Sequence, residues 1–294
     1  MEGGHPKMFF RPYQQQEDHL YAQLRDDQKY SKAKDQIEYF WSIYAPYADN
    51  TFIIQAQKQN QFKQRWWELI LAAGLIKSGT SVCKKTTPEG PDIMVDSNPT
   101  IFIEAIAPTR GSCMSKDQLP ELEFRKNKPI VKDLPKRQFL LRLTSAFREK
   151  FKKYELYRKN GLIGCNDPYI IAISSCDLSD YGDLMDFPVS AAFSIVAGAG
   201  VLVLSKNGDF VEYQPTISKS NSSSVEANLF FNLQYSGVSG FIYSFSNVLN
   251  CPNCPQKEFI LIRNPNAQNK ISDGIFKIET WDCNDLNNSW HKHK

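Results

Sequence analysis

Two short apolar runs, Asp92-Ile93-Met94-Val95 and Ile101-Phe102-Ile103-Glu104-Ala105, flank Asp96-Ser97-Asn98-Pro99-Thr100, a cluster of turn-forming residues. This pattern reads as a β-hairpin. Pairing about Asn98 sets Val95 opposite Ile101, Met94 opposite Phe102 and Asp92 opposite Glu104. Residues directly opposite share a face of the sheet, so the two carboxylates come within about 5 Å at Cβ. Neighbouring Ile, Met and Phe side chains lower the local dielectric. Such a pair persists where one acid keeps its proton or a cation lies between them. A third acid, Glu68, lies inside the apolar run WWELILAAGLI, with Leu71, Ala72 and Leu75 as helical neighbours. It points to the core side and requires a partner there. One divalent cation could satisfy all three.

The rest of the chain surrounds this hairpin with helices and further strands. Helical spacing predicts helices over Gln14–Ala45 and Gln61–Ser78, the second stopped by Gly79. A long basic helix is expected over Lys136–Lys159, with a small-residue helix over Phe187–Gly200. Strands are expected at Tyr169–Ser174, Phe241–Ser244, Phe259–Ile262 and Ile275–Ile278. Val201–Leu204 and Phe210–Tyr213 flank Asn207-Gly208, a strong hairpin signal. Ala107–Asp133 reads as a long mobile loop and Ser218–Ser224 as a shorter one. Helices alternating with apolar strands argue an α/β fold. The expected organisation is a helical N-terminal extension over 1–60, an α/β domain with C-terminal strand elaboration over 61–280, and a polar tail over 281–294.

Composition excludes other classes. With 41% hydrophobic residues and net charge +3, the chain is not globally disordered. The most apolar stretches, Trp66–Ile76 and Val189–Leu204, are interrupted by Glu68, Gly74, Ser194, Gly198 and Gly200, which argues against a membrane partner. The N-terminal residues lack the apolar core of a secretory signal. Seven cysteines form no disulfide framework and point to a reducing, cytosol-type compartment.

Positive charge is concentrated. Residues 107–160 hold 15 Lys and Arg against six acids, leaving the remaining 240 residues at −6. A basic band on a mildly acidic body suits a polyanion such as DNA or RNA; a solvated helix face gives the same count. With Phe147 at the centre of the apolar stripe of Lys136–Lys159, Lys150 lies about 60° away, on the flank of the buried side. It either reaches inward or snorkels to water. Arg142, Arg148, Lys152 and Lys153 lie at least about 100° from the stripe and are expected to face solvent and bind nucleic acid.

Glu68 on a helix, Gly90-Pro91-Asp92 opening a strand and Ile103-Glu104-Ala105-Ile106 on its partner together resemble the PD-(D/E)XK nuclease superfamily. The likeness spans Gln61 to Ser174, under half the chain. It implies a restriction-endonuclease-like mixed sheet flanked by helices, and metal-dependent hydrolysis of phosphodiester bonds in DNA or RNA. By the same resemblance Asp92, Glu104 and the Ala105 carbonyl would bind Mg²⁺ or Mn²⁺, with Glu68 as a nearby or water-mediated ligand. The superfamily's lysine, two residues after the glutamate, is Ile106 here. Some members carry that lysine on the following helix, which makes Lys150 the implied third catalytic residue beside Asp92 and Glu104. Others have lost activity, which leaves a non-catalytic module binding nucleic acid or protein as the alternative.

The remaining motifs read as structure. Cys251-Pro-Asn-Cys254 has the spacing of half a zinc site without a second pair, and reads as a turn with free thiols. Gly198-Ala-Gly200 precedes a strand and lacks the context of a dinucleotide loop. His5, His19, His291 and His293 lie near the termini, which disfavours a histidine triad. Trp66 and Trp67 read as core residues and not as base-stacking platforms.

Overall fold

The computed structural model describes residues 8–12, 16–85, 89–121, 134–178, 190–203, 210–283 and 290–292. One edge of its main sheet is the predicted hairpin, β1 (Ile93–Val95) and β2 (Ile101–Ile106), paired with Val95 opposite Ile101 and Ile93 opposite Ile103. Beside β2 lie β3 (Tyr169–Ser174) and then β8 (Gly240–Ser244), both parallel to it. Next come β9 (Ile260–Arg263), antiparallel to β8, and β10 (Glu279–Cys283), parallel to β9. β11 (Trp290–Lys292) closes the far edge antiparallel to β10, giving a mixed seven-stranded sheet. Every residue of β2 and β3 is buried, as expected of parallel strands covered on both faces.

Alternation along β2 assigns the two faces. Ile101, Ile103 and Ala105 pack with α4 (Phe62–Lys77) and with the N-terminal helices α1 (His19–Asp26), α2 (Ser31–Tyr44) and α3 (Phe52–Gln57). Phe102 and Ile106 pack with α5 (Lys136–Lys159) and α6 (Ala191–Val196). Two small hairpins complete the architecture, β4 (Ala199–Val203) with β5 (Phe210–Gln214) and β6 (Thr216–Ser218) with β7 (Ser224–Glu226). The architecture is therefore α/β, a mixed sheet flanked by helices. Among the described residues no helix is long and apolar enough to cross a membrane.

Several expectations need correction. The Gln14–Ala45 helix is broken: Asp18 caps α1 by accepting from the Leu20 and Tyr21 amides, and Asp27 caps a 3₁₀ turn over residues 28–30 by accepting from Lys29. A capping carboxylate competes with the helix that would otherwise run through it. The described N-terminal residues pack onto the sheet. Phe9, Tyr21, Phe40, Trp41 and Phe52 join Phe62, Trp66 and Trp67 in the core that covers the sheet. Ile275–Ile278 forms no strand. Phe276 packs into that same core, the Ile275 carbonyl accepts from Thr80 Oγ1, and the ladder starts at Glu279. The tail expected from residue 281 contributes the end of β10 and all of β11, because edge pairing needs backbone groups and no apolar side chains. Gly198 and Gly200 fall outside the small-residue helix, which ends at Val196.

Of the loop expected over 107–133, residues 107–121 are tied down. Arg142 Nε donates to the Thr109 carbonyl at 2.7 Å, Arg137 pairs with Asp117 at 2.6 Å, and Leu119 is fully buried. Residues 122–133, the Asn207-Gly208 turn, residues 187–189 and tail residues 284–289 and 293–294 lie outside the described residues.

Candidate functional site

The even-numbered side of the hairpin faces α5, and there the structure brings Asp92 and Glu104 together with three side chains of that helix. Lys150 and Lys153 both donate from Nζ to Glu104 Oε1, at 2.9 and 2.8 Å, and the Tyr157 hydroxyl donates to Oε2 at 3.2 Å. Positions 150, 153 and 157 lie on one stripe of a helix, so α5 presents them together to β2. The Glu104 side chain is 1% exposed and that of Lys150 is 6% exposed. Lys150 therefore reaches inward and does not snorkel. Burial alone would raise the Glu104 carboxyl, but Lys150 and Lys153 outweigh it and hold it below its ordinary 4.5.

Asp92 is the contrasting acid. Its Oδ2 accepts from the Ala105 amide at 2.8 Å, while the nearest cation to Oδ1 is Lys85 Nζ at 3.9 Å. The side chain is 13% exposed. Burial, Glu68 and Glu104 push its pKa up from 3.8 to about 8, against the pull of Lys150 and Lys85. Two carboxyls a hairpin's width apart thus have opposite tendencies, one held ionised by two ammonium groups and one driven toward its neutral form.

Glu68 reaches the site from the opposite face, because α4 packs against the odd-numbered side of β2. Its Oε2 pairs with Arg65 Nη1 at 2.5 Å and its Oε1 accepts from Gln64 Nε2 at 2.8 Å. Gln64 Nε2 also donates to the Ala105 carbonyl at 3.1 Å, and its Oε1 accepts from the Ala107 amide at 2.8 Å. Glu68 and the Ala105 carbonyl, expected as cation ligands, are thus joined by one amide. Among the described residues no group of three or more His, Cys, Asp or Glu side chains is disposed to hold a metal ion. Two carboxylates, Asp92 and Glu104, are left for the expected Mg²⁺ or Mn²⁺, and Glu104 already accepts from Lys150, Lys153 and Tyr157. Such hard cations commonly take one or two carboxylates and complete their shell with water and substrate phosphate. Asp92, buried and short of positive charge, is the oxygen donor that would hold the ion, with Glu104 beside it.

The expected nucleic-acid face does not all point to solvent. Lys153 bonds Glu104, Arg142 is half-buried against Thr109, and Arg148 Nη2 lies 3.7 Å from Glu226 Oε2 on β7. Only Lys152 of the four is exposed. The cause is that α5 is covered on three sides, by the sheet, by residues 107–121 and by the β6–β7 hairpin. Lys153, Tyr157, Gln64, Arg65 and Lys85 were not singled out from the sequence as part of this cluster. For the first two, the i, i+3, i+7 spacing from Lys150 is the signal. Ile106 packs among the apolar residues facing α5, so no lysine from β2 competes with Lys150.

No family model, curated protein or solved structure matches this chain. Function must therefore be argued from the site itself. A cleft of about 370 Å³ opens onto it, lined by Gln64, Glu68, Asp92, Arg142, Lys150 and Lys153 among others. Outside this region, Cys251 and Cys254 are half-buried free thiols, and burial pushes the Cys251 thiol up to about 12. Trp66 and Trp67 are fully buried, as core residues should be.

Proposed function

We propose that the protein is a metal-dependent nuclease hydrolysing phosphodiester bonds of DNA or RNA, built on a restriction-endonuclease-like α/β fold. The observation carrying this reading is the Lys150 ammonium 2.9 Å from Glu104, on the face of the hairpin that also bears Asp92. Asp92 and Lys150 line the cleft, and Glu104, buried directly behind Lys150, completes a set of two acids and a lysine suited to hydrolysing a phosphodiester with a hard cation. Bound at Asp92 and Glu104, Mg²⁺ or Mn²⁺ would lower the pKa of a coordinated water and offset charge on the phosphate. Lys150, fixed by its bond to Glu104, orients the attacking water and stabilises the phosphate as charge accumulates. Lys153 keeps a half-exposed side chain while touching Glu104, and can offer its remaining donors to a phosphate oxygen. Its ammonium is held charged: burial lowers its pKa, and Glu104 raises it by more. Glu68 and Gln64 fix the backbone of Ala105 and Ala107, and so the strand end that carries Glu104.

One observation favours a second reading. Both oxygens of Glu104 already accept from donors within the protein, as in a structural ion-pair cluster, and a module that only binds nucleic acid would retain that cluster and its basic helix. Incubation with mixed DNA and RNA in Mg²⁺ or Mn²⁺ separates the two. The wild type should cut, and Asp92→Asn and Lys150→Met should not. Retained binding with no cutting by the wild type would select the binding module.

A further inference from the structure

The cleft described above ends at Asp92, and a second begins there. The second, about 430 Å³, lies between residues 49–55 and the C-terminal half of α5, and holds Lys85, Leu156 and Leu162. Arg65, Asp92 and Lys153 line both. The candidate catalytic carboxyl therefore stands at the junction of two spaces, with Arg65 and Lys153 beside it lining both. Either volume falls in the lower part of the range that holds a single small ligand, the size of one nucleotide.

The second cleft adds an apolar feature that a phosphate does not need. Leu156 and Leu162 are 53% and 46% exposed, large apolar side chains left in water beside Lys153. They offer a surface on which a base face can be removed from water. A duplex has its base faces stacked inside and none to offer; an unpaired strand has one per nucleotide. Deepening the nuclease reading, on which this rests, we infer that the site takes an unpaired nucleic-acid strand through two nucleotide subsites, one on each side of Asp92. The phosphate between them lies at Asp92, flanked by Arg65 and Lys153. Because the strand enters by one cleft and leaves by the other, no chain end is required, and internal phosphodiester bonds are the substrate.

The test uses the full chain with Mn²⁺ on closed single-stranded circles of DNA and of RNA, their linear counterparts, and a closed duplex plasmid. At least one circle should be opened as fast as its linear counterpart, with the plasmid cut at least about tenfold more slowly. That factor corresponds to removing one buried apolar interaction of about 1.5 kcal/mol. Linear strands degraded while both circles stay intact would overturn the inference and leave the nuclease reading standing. So would a plasmid cut as fast as the circles. No cleavage of any substrate would remove the nuclease reading, and the inference with it. Leu156→Glu/Leu162→Glu changes two exposed positions, so the fold should stand, as circular dichroism would show. It should raise KM for circles about tenfold; an unchanged KM would eliminate the second subsite.

Discussion

Asp92→Asn is the substitution whose effect the structure determines most closely. Burial and the nearby Glu68 and Glu104 raise the Asp92 carboxyl from 3.8 to about 8. Between those values the folded protein keeps a proton that the unfolded chain has released. A group raised in this way costs stability as pH rises from the unfolded value to the folded one, by roughly 1.4 kcal/mol per pH unit, and no more above it. At pH 7, some three units above 3.8, the upper limit is about 4 kcal/mol; movement of Lys85 toward Oδ1 would recover part of this. Asparagine keeps an oxygen for the Ala105 amide and cannot ionise. Urea unfolding of both proteins at pH 5, 6, 7 and 8 without divalent ions should therefore show the variant gaining on the wild type by about 1 kcal/mol per unit, levelling off above pH 8. Adding Mg²⁺ to about 100 times its dissociation constant should return roughly 2.7 kcal/mol to the wild type and nothing to the variant. A stability difference independent of pH would refute the buried, under-compensated carboxyl. Equal stabilisation of both proteins by Mg²⁺ would refute its part in cation binding.

Glu104→Gln should act in the opposite sense, destabilising by about 3 kcal/mol in the same assay, because it leaves Lys150 charged and buried without its anion. The simple repulsion argument, that removing either acid relieves strain, fails for Glu104 because two lysines already compensate it. Lys150→Met should retain Mg²⁺ binding by calorimetry while abolishing turnover, with stability reduced less than in Glu104→Gln because Lys153 and Tyr157 still serve the carboxylate. Lys152→Glu should leave the melting temperature unchanged and lower the salt dependence of nucleic-acid binding, since each phosphate no longer neutralised takes roughly 0.7–0.9 from the slope of log affinity against log salt; an unchanged slope would place the strand away from this part of α5. Gly74→Ala should destabilise by about 1–3 kcal/mol in thermal unfolding, because its new methyl would lie 2.6 Å from Phe259 Cε2 in a packed core.

How much of the fold the sequence reveals depends on whether the signal is local. β1, β2, β3, α4 and α5 follow from periodicity and turn chemistry, since hairpin register, helix stops and buried runs are set by residues close in sequence. The Gly79 stop is an example: with φ at +93° it lets the Gly79 and Thr80 amides return to the Ile76 and Leu75 carbonyls. What local patterns miss is decided at a distance. Nothing in Ile275–Ile278 distinguishes a strand from a segment that seals the core, because the choice rests on whether β9 pairs with it or with Glu279 onward. The apolar stripes of the N-terminal helices likewise do not name the face they cover, which is decided by packing against α4 and the sheet.

The site was half legible for a geometric reason. Placing residues of α5 by angle from its apolar stripe separates inward Lys150 from the rest, but only if the sign of the angle is kept. Counted from Phe147, Lys150, Tyr157, Lys153 and Arg142 all turn to one side, between about 60° and 140°, while Arg148 and Lys152 turn about as far to the other. The first four lie along the flank nearest β2, and the structure finds three of them on Glu104 and the fourth against Thr109. The other two lie toward the β6–β7 hairpin, where Arg148 meets Glu226. The unsigned angle merges these groups into one solvent-facing basic surface. Side chains as long as lysine and arginine also reach several ångströms beyond the position their angle assigns, so an angle of about 120° does not keep Lys153 out of the site. A basic helix beside a buried acid is therefore best read by asking which flank faces the acid, and only afterwards how much charge remains for a polyanion.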